Sequence, residues 1–266
     1  MSTQGLVLLL CVCGAVNATE LFSNGGFESG MQSPWSNFVQ DSSGSDAFFI
    51  TGATTSNLNS FPVAGPASGS FYALSDESGP NTLALYQTFI VPGPGTVNLS
   101  FDMFVADESN CGTSTPAPCG PLVDGANPFD STDPGNQYAT VDLLDGAASV
   151  LSTSVLQNLY QGVDNTAQII TAVPYTHYSI DITPDVGAGG TFLLRFVVVA
   201  GEGPINLGLD NVSADFTSST PEPGTFWLAG FAMFGILAFC RYRARRRLSI
   251  SFPPQNREVF QGRTIS

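Results

Sequence analysis

Val97-Asn98-Leu99-Ser100-Phe101-Asp102-Met103-Phe104-Val105 places an apolar side chain at every second position from Val97 to Val105, with Asn98, Ser100 and Asp102 between them. A pleated strand sends successive side chains to opposite faces, so this period of two gives one apolar and one wet face. Outward from it, Phe192, Leu194, Phe196 and Val198 repeat the pattern. Leu193, Val197 and Val199 make that second strand apolar on both faces except at Arg195. Tyr178, Ile180 and Ile182 alternate as far as Thr183-Pro184. Shorter strands are predicted at 46–51, 70–75, 83–91, 138–144, 149–156 and 207–216, punctuated by breakers such as Pro92-Gly93-Pro94-Gly95 and Gly189-Gly190. No helix is expected away from the two termini. Nine or ten short strands separated by turns predict an all-β fold, a jelly-roll-like two-sheet β-sandwich.

Charge is distributed unevenly. Residues 19–220 hold 20 of the 22 acidic side chains against Arg195 alone, a net charge of about −19, whereas the other seven basic residues lie at Arg241 or beyond. A body this acidic repels nucleic acid and anionic lipid, and no nucleic-acid partner is expected. Nucleophile-elbow, phosphate-loop and zinc-helix motifs are absent from the sequence. His177, the single histidine, sits in a strand pattern and reads as an outward-facing surface residue rather than a general base. The chain is expected not to be an enzyme.

The termini carry separate signals. Residues 6–15 form a short apolar core followed by Val16-Asn17-Ala18, so residues 1–18 read as a signal peptide, although 1–5 contain no basic residue. Near the other end, Pro221-Glu222-Pro223 precedes an uncharged run of 18 residues from Pro223 to Cys240, followed by Arg241, Arg243, Arg245, Arg246 and Arg247. As a helix that run would extend about 27 Å, close to the ~30 Å hydrocarbon thickness of a bilayer. A single transmembrane helix is predicted at about 224–240, held by the arginines on the cytoplasmic side. The alternative, a buried core helix, would seldom end in five arginines. Residues 248–266 read as an unstructured cytoplasmic tail.

This order of Pro-Glu-Pro, apolar span and arginine cluster resembles the PEP-CTERM sorting signal of Gram-negative bacteria, here 218–247. The resemblance implies an exosortase as partner, a membrane-anchored precursor, and a final place at the cell surface or in an extracellular matrix rich in exopolysaccharide. It leaves 19–217 as the exported domain. Relatives of this kind usually stop soon after the arginines, whereas 19 residues follow here.

Within 19–217, two cysteines, Cys111 and Cys119, bracket a short loop. A disulfide there fits an oxidising compartment. They fall in a stretch from Asp107 to Asn136 that has little alternation, five prolines after Cys111 and several carboxylates, and reads as a solvated acidic loop or insertion. Asn24-Gly25-Gly26-Phe27-Glu28-Ser29-Gly30 with Trp35, and Leu209-Asp210-Asn211-Val212-Ser213, are similar to the opening and closing segments of CenC-type carbohydrate-binding modules and related galactose-binding-like jelly rolls. Gln87-Thr88-Phe89 fits the middle of PEP-CTERM sandwiches. The resemblance makes Glu28 and Asp210 candidate ligands of a structural calcium ion, with Asn211 where a second Asp is usual. The competing reading has Glu28 capping a turn and Asp210 bonding a loop.

Three functional readings follow. The first is a non-catalytic exported surface or matrix protein, associated with exopolysaccharide and binding glycan weakly. Trp35, Tyr72, Tyr86, Tyr138, Tyr160 and Tyr175 are the rings on which a sugar could stack. The second is a structural or adhesive β-domain that binds no sugar, and the third a secreted hydrolase.

Overall fold

The computed structural model describes residues 18–107, 123–163, 172–219 and 223–248. The chain divides into two units. One of them, Val16–Thr220, carries eleven strands in two antiparallel sheets among the described residues. The strands are β1 (Thr19–Glu20), β2 (Ser36–Val39), β3 (Ala47–Thr51), β4 (Tyr72–Asp76), β5 (Asn81–Val91), β6 (Gly95–Asp107), β7 (Gln137–Asp145), β8 (Gln157–Gly162), β9 (Thr176–Asp181), β10 (Gly190–Ala200) and β11 (Ile205–Ser218). A single helical turn, α1 (Thr183–Val186), follows β9.

The first sheet runs β3-β4-β11-β6-β9, and β1 pairs with β11 on the edge that β4 also uses. The second runs β2-β5-β10-β7-β8. Val97, Leu99, Phe101 and Met103 of β6 face Leu194, Phe196 and Val198 of β10 across one core, joined there by Leu85, Val141 and Leu209. Each such side chain taken out of water stabilises the fold by roughly 1.5–3 kcal/mol. The second half of β6 is buried on both faces because Val63, Tyr72, Leu74 and Ala106 gather around Phe104 on the outer side. On the second sheet Val197 and Val199 are covered likewise by Phe129, Val150 and Leu151, which explains why β10 reads as apolar on both faces.

Residues 149–156, expected as a strand, form turns instead, with Ser152 N donating to Ser149 O, and β8 starts at Gln157. The apolar side chains of Val150 and Leu151 are spent covering the outer face of β10 rather than pairing. Strand β2 escapes the pattern because its four residues are an edge without alternation. The turn α1 is likewise additional, with Pro184 inside its first turn and Val186 buried. The acidic side chains of the 123–136 segment close local turns: Asp124 accepts from Ala126 N, Asp130 from Thr132 N and Oγ1, and Asp133 from Gly135 N.

In the other unit, α2 spans Pro223–Leu248, running past the predicted 240 through the arginine cluster. Its described side chains, including Phe231, Met233, Phe234, Ile236 and Leu237, are exposed. Among the described residues no helix is long and apolar enough to cross a membrane. Residues 1–17 of the predicted signal peptide, Cys111, Cys119, Pro221, Glu222 and the tail after Leu248 lie outside the described residues, as do the side chains of Pro223, Arg245, Arg246 and Arg247.

Candidate functional site

Strand β11 is interrupted between Asp210 and Ser213 by a bulge, where Asn211 takes a left-handed conformation (φ +52°) that Asn tolerates better than most residues. This gap falls between the stretch paired with β4 and the stretch paired with β1. The 24–30 segment fills it. Val212 N donates to Gly25 O at 3.0 Å, and the backbones approach so closely that a Cβ on Gly25 would lie 1.8 Å from Val212 O. Asn24 fixes the corner with its Nδ2 on Met31 O and Ser33 O, while Trp35 Nε1 donates to Asn24 O. Phe27 is buried beside Trp35 with ring centroids 5.8 Å apart.

This corner brings the two predicted carboxylates together. Glu28 accepts from Ser70 N and Phe71 N, its carboxylate lying against Gly69, where a Cβ would be 2.3 Å from Oε1. Asp210 is fully buried and accepts from Asn211 N at 2.7 Å and Ser68 N at 3.0 Å. Burial raises the Asp210 carboxyl above its ordinary range; the backbone donors of Ser68, Asn211 and Ala67 oppose this, and the negative Glu28 adds to it. A Cβ on Gly26 would stand 3.9 Å from Asn211 Oδ1 and 4.0 Å from Asp210 Oδ1 and Glu28 Cγ, so all three side chains converge over that glycine. Turn-capping and loop bonding are therefore both present. The donor set of two carboxylates and one amide oxygen also has the hard-oxygen chemistry that calcium takes. Among the described residues no group of three or more His, Cys, Asp or Glu is placed to hold a metal ion.

A polar chain leads outward from the bulge. Ser68 Oγ donates to Asn211 Oδ1, Asn211 Nδ2 donates to Asp102 Oδ2 at 2.7 Å, and Asp102 Oδ1 meets His177 Nδ1 at 2.7 Å. His177 is exposed, as its strand position implied, and the partnership with Asp102 is new.

Two features carry no signal that sequence periodicity could report. Arg195 is buried with Asp142, its Nη2 2.8 Å from Oδ2, its Nη1 on Val150 O and its guanidinium 4.7 Å from the Phe129 ring centroid. It fastens the covering segments to the second sheet. Gln87 pairs its carboxamide with the backbone of one residue: Oε1 accepts from Ser23 N and Nε2 donates to Ser23 O, both at 3.1 Å.

Of the aromatic side chains expected to be available, Trp35, Tyr72 and Tyr138 are buried. Tyr175 packs edge-on to Phe104 and donates to Gly65 O, and Tyr160 lies edge-on to Tyr178.

Residues 219–246 match the family model described as the PEP-CTERM protein-sorting motif. The motif marks an exported protein anchored in the membrane before processing. No curated protein matches the chain. Among solved structures, it is similar to TmCBM61 in complex with β-1,4-galactotriose, at 11% identity and TM-score 0.42 over 74% of this chain and 97% of that one. It is similar to the K3 adhesin domain of Lys-gingipain from Porphyromonas gingivalis W83, at 16% identity and TM-score 0.43 over 75% and 99%. A Stig cyclase from Fischerella sp. TAU is similar at 14% identity and TM-score 0.41 over 77% and 100%. No site is carried over from these likenesses.

Proposed function

We propose that this is a non-catalytic surface or matrix protein that an exosortase releases from a membrane-anchored precursor. In this reading the apolar run 223–240, whose first seven side chains lie outside the described residues, crosses the bilayer, the arginines remain inside, and the strand body enters the exopolysaccharide layer, where it binds neutral glycan weakly. The match of 219–246 to the sorting motif carries the reading. An almost uniformly acidic body adds support, since it stays soluble and clear of anionic polymers. Glu28 and Asp210, with the Asn211 amide oxygen, would hold a calcium ion that relieves the repulsion between the carboxylates and locks the N-terminal corner to β11. Cys111 and Cys119 would close a disulfide in the same exported body.

Mass spectrometry of the protein in its native host tests the reading. Cleavage near 221–224, lost when the exosortase is deleted, is the expected result. A mature chain that runs intact through Arg247 would overturn it. Retarded migration in polysaccharide gels separates glycan binding from a purely structural or adhesive role.

A further inference from the structure

Strand β5 pairs with β10 along all eleven of its residues, but β2 covers its other edge only from Leu83 to Tyr86. Among the described residues no strand neighbours that edge beyond Tyr86. Facing it is the 19–23 segment, paired to β11 through β1 and tied to β5 by the Gln87–Ser23 amide pair. Between them opens a groove of about 610 Å³. A volume of this order suits a small ligand or a few units of a chain polymer.

The wall chemistry narrows the ligand. Tyr86, Ile90, Pro34 and Pro92 present apolar surface, and Ser36 and Thr88 present hydroxyls. Glu20 is the single charged residue of the lining, and both its oxygens are committed: Oε1 accepts from Phe22 N and Ala214 N, and Oε2 from Ser213 Oγ. The described lining holds no cation for an acidic ligand and no free carboxylate for a basic one. An extended peptide pairing with the β5 edge would find only a short ladder, because β5 ends at Val91 and Pro92 has no N–H. A neutral polysaccharide, with hydroxyls and apolar C–H faces, matches what remains.

Elimination of the other rings points the same way. Among the described residues Trp35, Tyr72 and Tyr138 are buried, and Tyr160, Tyr175 and Tyr178 are packed against other rings. Tyr86 is half-buried in the groove wall. We infer that this groove is a binding site for a neutral polysaccharide chain, with the Tyr86 ring as stacking surface and Ile90 at its rim. The inference rests on the glycan-binding reading above.

Affinity electrophoresis of the full-length protein in detergent tests it, with galactan, glucomannan and hydroxyethyl cellulose as neutral gels and alginate as the anionic one. Retardation is expected in at least one neutral gel. It should weaken at least tenfold in Tyr86→Ala and be largely kept in Tyr86→Phe, both with an unchanged melting temperature. Equal retardation of wild type and Tyr86→Ala overturns the groove as the site while leaving glycan binding in place. No retardation of wild type in any neutral gel, or retardation in alginate alone, overturns the glycan reading and this site with it. Amide protection at 88–90 that appears only on adding an extended peptide would instead mark a strand-pairing edge, and would likewise overturn the inference.

Discussion

Asn211 Nδ2 donates to Asp102 Oδ2 at 2.7 Å, so the residue expected from the sequence resemblance to stand in place of a second Asp has a carboxylate as its partner. An amide bonds there; a carboxylate would repel. The bond also gives the bulge of β11 a fixed link to β6, and through Asp102 a link to exposed His177.

Asn211→Asp is therefore expected to destabilise the body by about 1–3 kcal/mol at neutral pH with a chelator present, the cost of a lost donor and a new like-charge pair. The loss should shrink as the pH falls towards ~4, where carboxylates begin to take up protons. Thermal denaturation across pH checks this. A loss that does not change with pH would show that repulsion is not its source.

Calcium should raise the melting temperature. An ion present at about a hundred times its dissociation constant stabilises a fold by about 2.7 kcal/mol. Asp210→Asn should remove that rise, whereas Asp130→Asn, altering a solvent-exposed turn, should keep it. Calorimetry with calcium and then with chelator is the measurement.

Glu77→Gln should make the protein more stable at pH 7. Glu77 is fully buried; Oε1 accepts from Ile205 N, while Oε2 has no partner among the described residues. Burial raises its carboxyl well above the ordinary range, the Ile205 N–H opposes this, and negative Asp46 and Asp76 add to it. A carboxyl raised in the folded state contributes fully below the unfolded value of ~4.3, and the contribution declines as the pH rises from there towards the folded value. The gain from Gln should thus be near zero at pH 4 and about 1–3 kcal/mol at pH 7, read from urea unfolding at both.

Arg195→Met leaves Asp142 buried without its cation and should cost about 3–5 kcal/mol. The double variant Arg195→Met/Asp142→Leu should regain much of that loss, because no charge is then left buried. Urea midpoints of the single and double variants decide between these outcomes.

Gln87→Ala should free the 21–24 segment with little effect elsewhere. Two hydrogen bonds to the backbone of one residue are worth about 1–3 kcal/mol together. Hydrogen exchange at Ser23 should accelerate, while amides in the middle of β10 remain protected.

Sequence periodicity located those strands whose neighbours lie on one well-defined face. Val97 to Met103 alternate because one side of β6 meets the core and the other meets water. It went astray where a side chain covers rather than pairs: Val150 and Leu151 look like strand residues but form turns over β10. The short edge strand β2 offered four residues and no period. For the candidate site, the likeness to known modules picked out Glu28 and Asp210, which the fold does bring together over Gly26. The Arg195–Asp142 pair, Glu77 beside Ile205 and the Gln87–Ser23 link stayed hidden, because each joins positions tens of residues apart through one side chain and leaves no periodic trace.

Thr19 lies opposite Phe216, so the strand body starts and finishes at the same corner. Thr19 is also a wall of the groove beside β5. In the uncleaved precursor, tension between the tail and anything gripped in that groove would cross one corner of the sandwich and spare the long β10–β7 ladder behind it. The fold would then work as a hook whose eyelet and point sit together, with most of its core outside the line of force.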